Sequence, residues 1–514
     1  MNRRFLPCLT MLGASVALIA LTGCASLAPT TLAPGAGAAS AAAPGSLAIH
    51  GTAFGGFQPI AGATVSLYSA GNTGYGVGAT LRATALTAND GSFSFTKILT
   101  PSDSVTPAGS SWACPITGDP LIYLVTTSGN PTGNGQAMPM NTAIGLMAPL
   151  GVCSTVSAAT LVTMNEATTV ASVAALQQFL NPATRNIGSS SSAMSMQALL
   201  VAAATVTNMV DFSQGIARPT QLTNSGGYNV SGVTVTVTPE ISKIHTIANI
   251  LASCVNSTSS SSLGCATLFT SAIPTNPTYT SQPTVTFGAA TDTLMAVYYM
   301  LTNPTSGASI ANDATNLNAL MALQSPTSPF QPALTSTPTD WTIGIRYDAG
   351  TVGDVPNCGA STTEKFMAYT YHLAVDATGN IWAVSNTAGN GISEISPTGT
   401  PLSCALAGAA AKGFTSGTID PAGNIWVASA SLASPSDPTL YEWTPGTSTT
   451  TAWPTIAASA LAANQFVMNV VSDGNNNINF AYYATLAQIP AATAIAGSPA
   501  ASSNGTPIST GVKS

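Results

Sequence analysis

The carboxyl-terminal third of this chain repeats a short motif, and this repeat constrains the fold more than any other feature. The stretch from His372 to Val384 contains Asp-Ala-Thr-Gly-Asn-Ile-Trp, and the stretch from Gly417 to Ala428 contains Asp-Pro-Ala-Gly-Asn-Ile-Trp. The two aspartates, Asp376 and Asp420, lie 44 residues apart, and a worn third copy surrounds Asp473. In each copy we expect Asp to cap a turn, Gly-Asn to form the hairpin and Ile-Trp to begin the next strand. A period of this length predicts a four-stranded sheet, which must stack on its neighbours because a single sheet cannot bury its own faces.

The motif resembles the NHL repeat and the related repeats of virginiamycin B lyase, and this resemblance implies a β-propeller. Residues 336–514 hold about three blades and end in a tail that we expect to be disordered, whereas closed propellers use about four to eight blades. We therefore expect an open array, a ring completed by a second copy of the chain, or a shortened relative of longer proteins. The repeated tryptophans are expected in the core between neighbouring sheets.

The resemblance to the lyase makes a histidine at the start of an inner strand a candidate general base, and His372 occupies that place. The competing interpretation is a structural or incidental role for this side chain. Asp376 and Asp420 are candidate ligands for calcium or magnesium, although their recurrence at the same turn favours turn capping. His50 and His245 lie in other predicted domains, so a site built from several histidines is not expected.

Residues 46–155 read as an all-β domain, with short alternating apolar stretches separated by glycine and proline. The segments 59–68 and 89–95 resemble the carboxypeptidase regulatory-like family of small β-sandwiches. The resemblance implies an accessory module rather than a catalyst. In physical terms, Asn-Asp-Gly supplies a tight turn, and Phe93 and Phe95 alternate toward the core.

Residues 156–335 change to apolar patterns at helical spacing and predict a mainly α domain. Asn165 is the predicted cap of the first helix, which we expect to run to Leu180. Further helices are expected at 193–210, 239–255, 291–302 and 311–323.

The amino terminus predicts export. Arg3 and Arg4 precede an apolar run that ends in Leu21-Thr22-Gly23-Cys24, which is the layout of a secretory signal. The last four residues resemble the bacterial lipobox, which implies removal of residues 1–23 and lipid attachment at Cys24. Residues 24–45 then form a flexible tether. We expect a lipid-anchored protein of the cell envelope, at the outer membrane or cell surface, with the membrane as a partner.

Six cysteines remain in the predicted mature chain besides Cys24, and an even number in an oxidising compartment favours disulfides. We favour the sequential pairing because each pair then falls inside one predicted domain; free buried thiols are the alternative. The last pair would join adjacent blades. The three pairs are Cys114–Cys153, Cys254–Cys265 and Cys358–Cys404.

Composition and motifs narrow the function further. With 11 Lys and Arg against 18 Asp and Glu, the formal charge is −7 and no basic patch is expected, so nucleic acid is not an expected partner. No Cys-x-x-Cys, Gly-x-Ser-x-Gly, Walker or His-Glu-x-x-His sequence occurs, and no cofactor is expected. We therefore expect a non-catalytic envelope lipoprotein that presents a propeller-type surface to a protein or glycan. The alternative is a metal-dependent lyase or lactonase-like enzyme.

Overall fold

Small antiparallel sheets make up most of the fold, and helices are inserted in the middle of the chain. The predicted combination of sheets with a helical middle is confirmed at this level. The predicted signal segment, the tether and Cys24 lie outside the part of the chain that the structure describes. The computed structural model describes residues 46–103, 109–131, 140–274, 287–305, 313–350, 358, 365–386, 391–405, 414–429, 440–443, 450–453, 469–473, 477–482, 485–489 and 506–507.

The amino-terminal strands form two sheets around one core. The strands are β1 (Ser46–Gly55), β2 (Gln58–Pro59), β3 (Thr64–Ser69), β4 (Thr80–Leu86), β5 (Ser92–Ile98), β6 (Ser111–Ala113), β7 (Leu121–Thr127), β8 (Gly145–Val152) and β9 (Leu161–Met164). One sheet has the order β2-β1-β5-β6, with β9 parallel to β1, and the other has the order β4-β3-β7-β8. Phe93 and Phe95 of β5 share a buried cluster with Leu67 and Leu124 of the second sheet, so the predicted inward alternation is confirmed.

The middle of the chain contains helices and short strands. The helices are α1 (Glu166–Leu176), α2 (Ala193–Met209), α3 (Ile241–Val255), α4 (Leu263–Ser271), α5 (Thr293–Thr302) and α6 (Asp313–Met321), with 3-10 turns at Cys153–Thr155 and Gln177–Phe179. The strands are β10 (Leu180–Asn181), β11 (Asn186–Ile187), β12 (Val210–Asp211), β13 (Ile216–Ala217), β14 (Gln221–Asn224), β15 (Thr234–Pro239) and β16 (Ile345–Asp348). None of the helices in the described ranges is long and apolar enough to cross a membrane.

Asn165 caps α1 as predicted. Its Oδ1 accepts a hydrogen bond from the backbone N–H of Thr168 at 3.0 Å, and Thr168 Oγ1 accepts one from the backbone N–H of Asn165 at 2.9 Å. This reciprocal capping box satisfies two backbone donors at the start of the helix. These two hydrogen bonds are needed because α1 is buried nearly throughout, so water cannot bind the free backbone groups at its start.

The helices pack on the outer face of the β4-β3-β7-β8 sheet. Tyr123, Val125 and Met147 from that sheet share one apolar cluster with Val170 of α1 and with other helices. The sheet is therefore covered on both faces, which explains why β7 is a continuous apolar run rather than an alternating one. The predicted boundary between residues 155 and 156 stays a prediction, because the segments on its two sides share this core.

Each copy of the repeat forms one four-stranded antiparallel sheet in chain order. The first repeat sheet contains β17 (Thr370–Val375), β18 (Ile381–Ser385), β19 (Ile392–Ile395) and β20 (Pro401–Ala405). The second contains β21 (Phe414–Ile419), β22 (Ile425–Ser429), β23 (Leu440–Trp443) and β24 (Thr450–Trp453). The third contains β25 (Asn469–Ser472), β26 (Ile478–Tyr482), β27 (Thr485–Ile489) and β28 (Thr506–Pro507).

The repeat sheets stack face to face, with their first strands adjacent. Trp382 of the first sheet packs with Trp443 of the second, and Trp426 of the second packs with Phe480 of the third. The predicted location of the repeated tryptophans between sheets is confirmed. A further sheet, β14-β15-β16, covers the outer strands of the first repeat sheet from the other side, where Val237 joins a cluster with Ile395. Within the described residues the sheets form a stack and no closed ring.

The sequential disulfide pairing is confirmed, since Cys114–Cys153, Cys254–Cys265 and Cys358–Cys404 are bonded. The third bridge differs from expectation in what it joins. Cys404 lies on β20 of the first repeat sheet and Cys358 precedes that sheet, so the first and second repeats are not linked. Both sulfurs lie in the cluster between the first repeat sheet and β14-β15-β16. The reason is that Cys404 belongs to the last strand of its own sheet, not to the sheet that follows.

Candidate functional site

The aspartate of the first repeat accepts hydrogen bonds from the turn in which it lies. Asp376 Oδ1 accepts hydrogen bonds from the backbone N–H groups of Thr378 and Asn380 at 2.8 and 2.9 Å. Its Oδ2 accepts one from Trp382 Nε1 at 3.1 Å. Burial favours the neutral form, but these bonds and one from the Thr378 hydroxyl outweigh it and hold the pKa of Asp376 below its usual value. Asp376 therefore caps the turn and anchors the buried tryptophan.

The second repeat reproduces this network. Asp420 Oδ1 accepts from the Asn424 backbone N–H at 2.9 Å, and its Oδ2 accepts from Trp426 Nε1 at 2.9 Å. The Asn424 side chain also donates to Glu442 Oε1 at 2.9 Å. Asp420 is buried, and its carboxylate is thereby committed to the turn and the tryptophan.

The glutamate on β19 completes the same arrangement in the first repeat. Asn380 Nδ2 donates to Glu394 Oε1 at 2.9 Å, and the Ser403 hydroxyl donates to Glu394 Oε2. Burial, with the nearby Asp376 charge, raises the pKa of Glu394 in spite of these bonds. The glutamate is therefore also bound inside its sheet.

The third repeat keeps the network with different donors. Asn479 occupies the position of the tryptophan, and its Nδ2 donates to Asp473 Oδ2 at 3.1 Å. Gln488 occupies the position of the glutamate, and its Nε2 donates to Asn479 Oδ1 at 2.9 Å. The third copy has lost the tryptophan of the motif. It nevertheless keeps a side-chain hydrogen bond to the aspartate.

The structure does not bring the predicted site residues together as a metal centre. In the described part of the chain there is no group of three or more His, Cys, Asp or Glu side chains that could hold a metal ion. His50 is exposed on β1, and His372 is half-buried on β17. His245 is buried in α3, where its Nε2 accepts from the Ala217 backbone N–H at 3.1 Å and its Nδ1 faces Pro332 O at 3.1 Å. Burial lowers the pKa of His245, so this histidine is a neutral structural bridge.

An exposed apolar surface lies on the first strand of the first repeat sheet. We call this surface the β17 face, and it comprises Tyr369 (58% exposed), Tyr371 (68%), Leu373 (59%) and Val375 (64%). His372 lies on the other side of the strand from Leu373 and Val375. The sequence-derived candidate therefore adjoins this surface without being its centre.

The equivalent positions of the next two sheets are covered. Gly417 takes the place of Leu373 in the second sheet, where a Cβ atom would lie 3.0 Å from Val384 Cγ2. Val470 takes this place in the third sheet and is buried against the second. Among the described residues the first sheet has no such neighbour over β17, because β14-β15-β16 covers its outer strands. In the described structure the β17 face is thus a repeat interface without a preceding sheet.

The backbone that leads into the β17 face is strained. Met367 and Tyr369 adopt φ angles of +56° and +50°, a region that non-glycine residues rarely occupy. The loop is held by a bond from the Met367 N–H to Ser393 Oγ at 2.8 Å and one from the Asn386 N–H to Tyr369 O at 3.1 Å. Such strain costs about 1–3 kcal/mol per residue and concentrates at functional sites. We therefore take the β17 face as the candidate functional site.

The tyrosines of the β17 face are the residues that sequence reasoning missed. The β-bulge at Tyr371 recurs in the second repeat at Thr415, so the bulge belongs to the repeat and the tyrosine does not. Alignment of the two copies pairs Tyr371 with Thr415 and Leu373 with Gly417. The larger side chains in the first copy are the sequence difference from which this surface could have been predicted.

Comparison with known proteins identifies no family. No protein-family model matches the chain, and no curated protein matches it. Nine chains among the solved structures match. Two of them are extracellular domains from B. thetaiotaomicron, described as belonging to a hybrid two-component system and a one-component system. They are 14% and 16% identical, with TM-scores of 0.19 and 0.18, and each match covers 26% of this chain and 16% of the other. The chain thus spans about a sixth of these proteins, and the resemblance to NHL repeats stays a prediction.

Proposed function

We propose that this protein is a non-catalytic binding protein of the cell envelope whose β17 face takes a protein ligand. The observation that carries the proposal is the exposure of Tyr371, Leu373 and Val375 on β17, where the counterparts of Leu373 in the next two sheets, Gly417 and Val470, are buried. Contiguous exposed apolar surface marks interaction sites. Tyrosine is enriched in such sites because it combines a large ring with a polar hydroxyl.

The chemistry of the β17 face favours a protein over a glycan. Leu373 and Val375 offer branched aliphatic surface, which suits apolar side chains better than hydroxylated sugar rings. β17 is also an edge strand of its sheet, and edge strands accept extended segments of partner proteins. A second copy of this chain, which would extend the array of sheets, is one such partner.

Location at the envelope rests on two features. Three disulfides occur in the described residues, and disulfides persist in oxidising compartments outside the cytosol. The sequence Leu21-Thr22-Gly23-Cys24 supplies the lipid anchor. Anchoring at Cys24 would keep the binding surface at the membrane without a spanning helix.

The architecture within this proposal is a β-sandwich, a helical middle and an incomplete propeller. The apolar cluster shared by the two amino-terminal sheets supports the sandwich. The order of strands in each repeat sheet, the adjacency of their first strands and the tryptophans between sheets support propeller-type blades. The metal-dependent lyase or lactonase alternative gains no support from Asp376 and Asp420, since hydrogen bonds within the turns occupy their oxygens.

The test uses the purified chain with Cys24→Ser, which removes the predicted lipid attachment, and measures its binding to envelope fractions by quantitative sedimentation. The variant Tyr371→Thr combined with Leu373→Ser replaces the large residues of the β17 face by small ones. Val471→Thr is the matched control, because Val471 is 55% exposed on the first strand of the third sheet. We expect the double variant to bind at least tenfold more weakly and the control to bind normally.

Treatment of the envelope fraction identifies the ligand class. Loss of binding after protease treatment supports a protein ligand, whereas loss only after periodate oxidation would assign a glycan and contradict the proposal. Equal binding by the double variant and the parent chain would remove the β17 face as the site.

A further inference from the structure

A second cleft, remote in sequence from the repeats, surrounds a single arginine. The cleft has a volume of about 260 Å³ and lies between β4, the loop that follows Cys114 and helix α2. Arg82 of β4 lines it together with Asp119 from the loop and Leu199 and Leu200 from the helix. Three different parts of the chain therefore converge on one charged group.

The Arg82 guanidinium has no ionic partner in the described structure. Its Nε donates to Ser69 Oγ at 3.0 Å. No carboxylate oxygen of the described residues lies within 4.0 Å of it. Burial lowers the pKa of Arg82 although the more distant Asp103 opposes this effect, but a guanidinium remains charged at any physiological pH. A partly desolvated cation that no described carboxylate contacts directly can pair with an anion that enters the cleft.

The acidic residue that lines the cleft fixes the loop on one side of it. Asp119 Oδ1 accepts from the Ser154 backbone N–H at 2.8 Å, and its Oδ2 accepts from the Ser154 hydroxyl at 2.5 Å. Ser154 follows Cys153, whose disulfide to Cys114 fixes the other end of the same loop. The disulfide and this carboxylate therefore hold the wall in place, so the cleft is preformed.

The opposite wall is apolar. Leu199 is buried, Leu200 is half-buried and Met196 extends the same side of α2. A ligand that satisfies both walls needs an anionic group for Arg82 and an apolar body for the helix. At about 260 Å³ the cleft lies just below the usual size range of ligand pockets, so it suits a small molecule.

We propose that this cleft binds a small carboxylic acid, with its carboxylate on Arg82 and its apolar chain against Leu199 and Leu200. A planar carboxylate matches the guanidinium because two parallel N–H···O bonds can form. Ser69 orients the guanidinium through the bond to Nε, which leaves the terminal nitrogens for the ligand. The site is independent of the β17 face and would give the protein a small-molecule ligand.

The test uses hexanoate and hexanamide, two probes of equal length that differ in charge, with isothermal titration calorimetry on the full mature chain. We expect saturable hexanoate binding with a Kd on the order of 1 mM or tighter. Hexanamide should bind at least tenfold more weakly. Equal affinity for the two probes, or no saturable hexanoate binding up to about 10 mM, would overturn the proposal.

Variants locate the binding within the cleft. Arg82→Gln should weaken hexanoate binding at least tenfold, and Arg82→Lys should bind with intermediate affinity because a point charge replaces the planar fork. Arg346→Gln is the control, since Arg346 is exposed and paired with Asp348. Unchanged binding in Arg82→Gln would place hexanoate elsewhere and contradict the proposal. The comparison of probes on the parent chain remains decisive if an Arg82 variant fails to fold.

Discussion

Asn479 donates from Nδ2 to Asp473 Oδ2 at 3.1 Å, at a position where the first two repeats use a tryptophan ring nitrogen. The repeat therefore preserves a hydrogen bond to the turn aspartate more strictly than it preserves the aromatic ring. The ring serves a separate purpose, which is to fill the space between neighbouring sheets. The two contributions can be separated by substitution.

Trp426→Phe should destabilise the fold by about 1–3 kcal/mol, because it removes the Nε1–H donor to Asp420 and keeps most of the apolar volume. Trp426→Ala should cost about 3–5 kcal/mol, since it also leaves a cavity between the sheets. Urea unfolding curves measure both values. Tyr371→Phe, on an exposed ring, is the control and should change the free energy of unfolding by less than about 0.5 kcal/mol. Equal losses in the two Trp426 variants would contradict a separate role for the ring, and a Trp426→Phe variant as stable as the parent chain would contradict a role for the hydrogen bond.

Gly417→Leu should be destabilising by about 1–3 kcal/mol, because the added side chain meets Val384 between the first and second sheets. The comparison variant is Leu373→Ser, which shortens the exposed side chain at the equivalent position of the first sheet. It should leave the free energy of unfolding nearly unchanged. Thermal unfolding of both variants checks the difference. A large loss from Leu373→Ser would mean that the β17 face is covered in solution.

Glu166 makes stability depend on pH. It is fully buried, and among the described residues its one donor from outside its own helix is the Gly56 backbone N–H. Burial raises its pKa from 4.5 to about 8. The folded state holds this proton where the unfolded state has lost it, so stability should fall as pH rises from about 4.5 to about 8. The slope is at most about 1.4 kcal/mol per pH unit from this group. In Glu166→Gln this decline should be absent, which urea unfolding across that pH range measures; a persistent equal slope would assign the effect to other groups.

The disulfides should differ in their contribution to stability. Cys114–Cys153 closes 39 residues and Cys254–Cys265 closes 11, and restriction of the unfolded chain grows with loop length. Paired replacement by alanine should cost about 4 kcal/mol for the first bridge and about 3 kcal/mol for the second. Chemical unfolding of the two double variants tests this order. A larger loss from the shorter loop would show that packing around the sulfurs outweighs chain entropy.

Sequence patterns predicted what local chemistry determines. The turn aspartates, the cap at Asn165, the pairing of cysteines and most helices follow from residues near one another in the chain. Helix α4 was not predicted because Ser262 caps it and Cys265 ties it to α3, and neither effect appears in apolar periodicity. Contacts between segments distant in the chain could not be predicted from apolar periodicity either. Pairing of β15 with β16 joins residues about a hundred positions apart, and this sheet leaves the β17 face uncovered.

The candidate sites illustrate the same limit. His372 was identified because a family resemblance supplied a role, whereas Tyr371 matters because no sheet of the described residues covers it. Arg82 carries no motif at all. Its significance comes from Ser69, the loop fixed by Cys153 and helix α2, which meet only in the folded chain.

A ligand that covers the β17 face at the envelope would shield its tyrosines from solvent, which hydroxyl-radical footprinting measures. Tyr369 and Tyr371 should be oxidised readily in the purified chain and protected at least fivefold when the chain is bound to envelopes. Tyr75, which is 51% exposed in the amino-terminal part, serves as the internal reference and should react equally in both states. Equal oxidation of Tyr369 and Tyr371 in the free and bound chain would contradict the account.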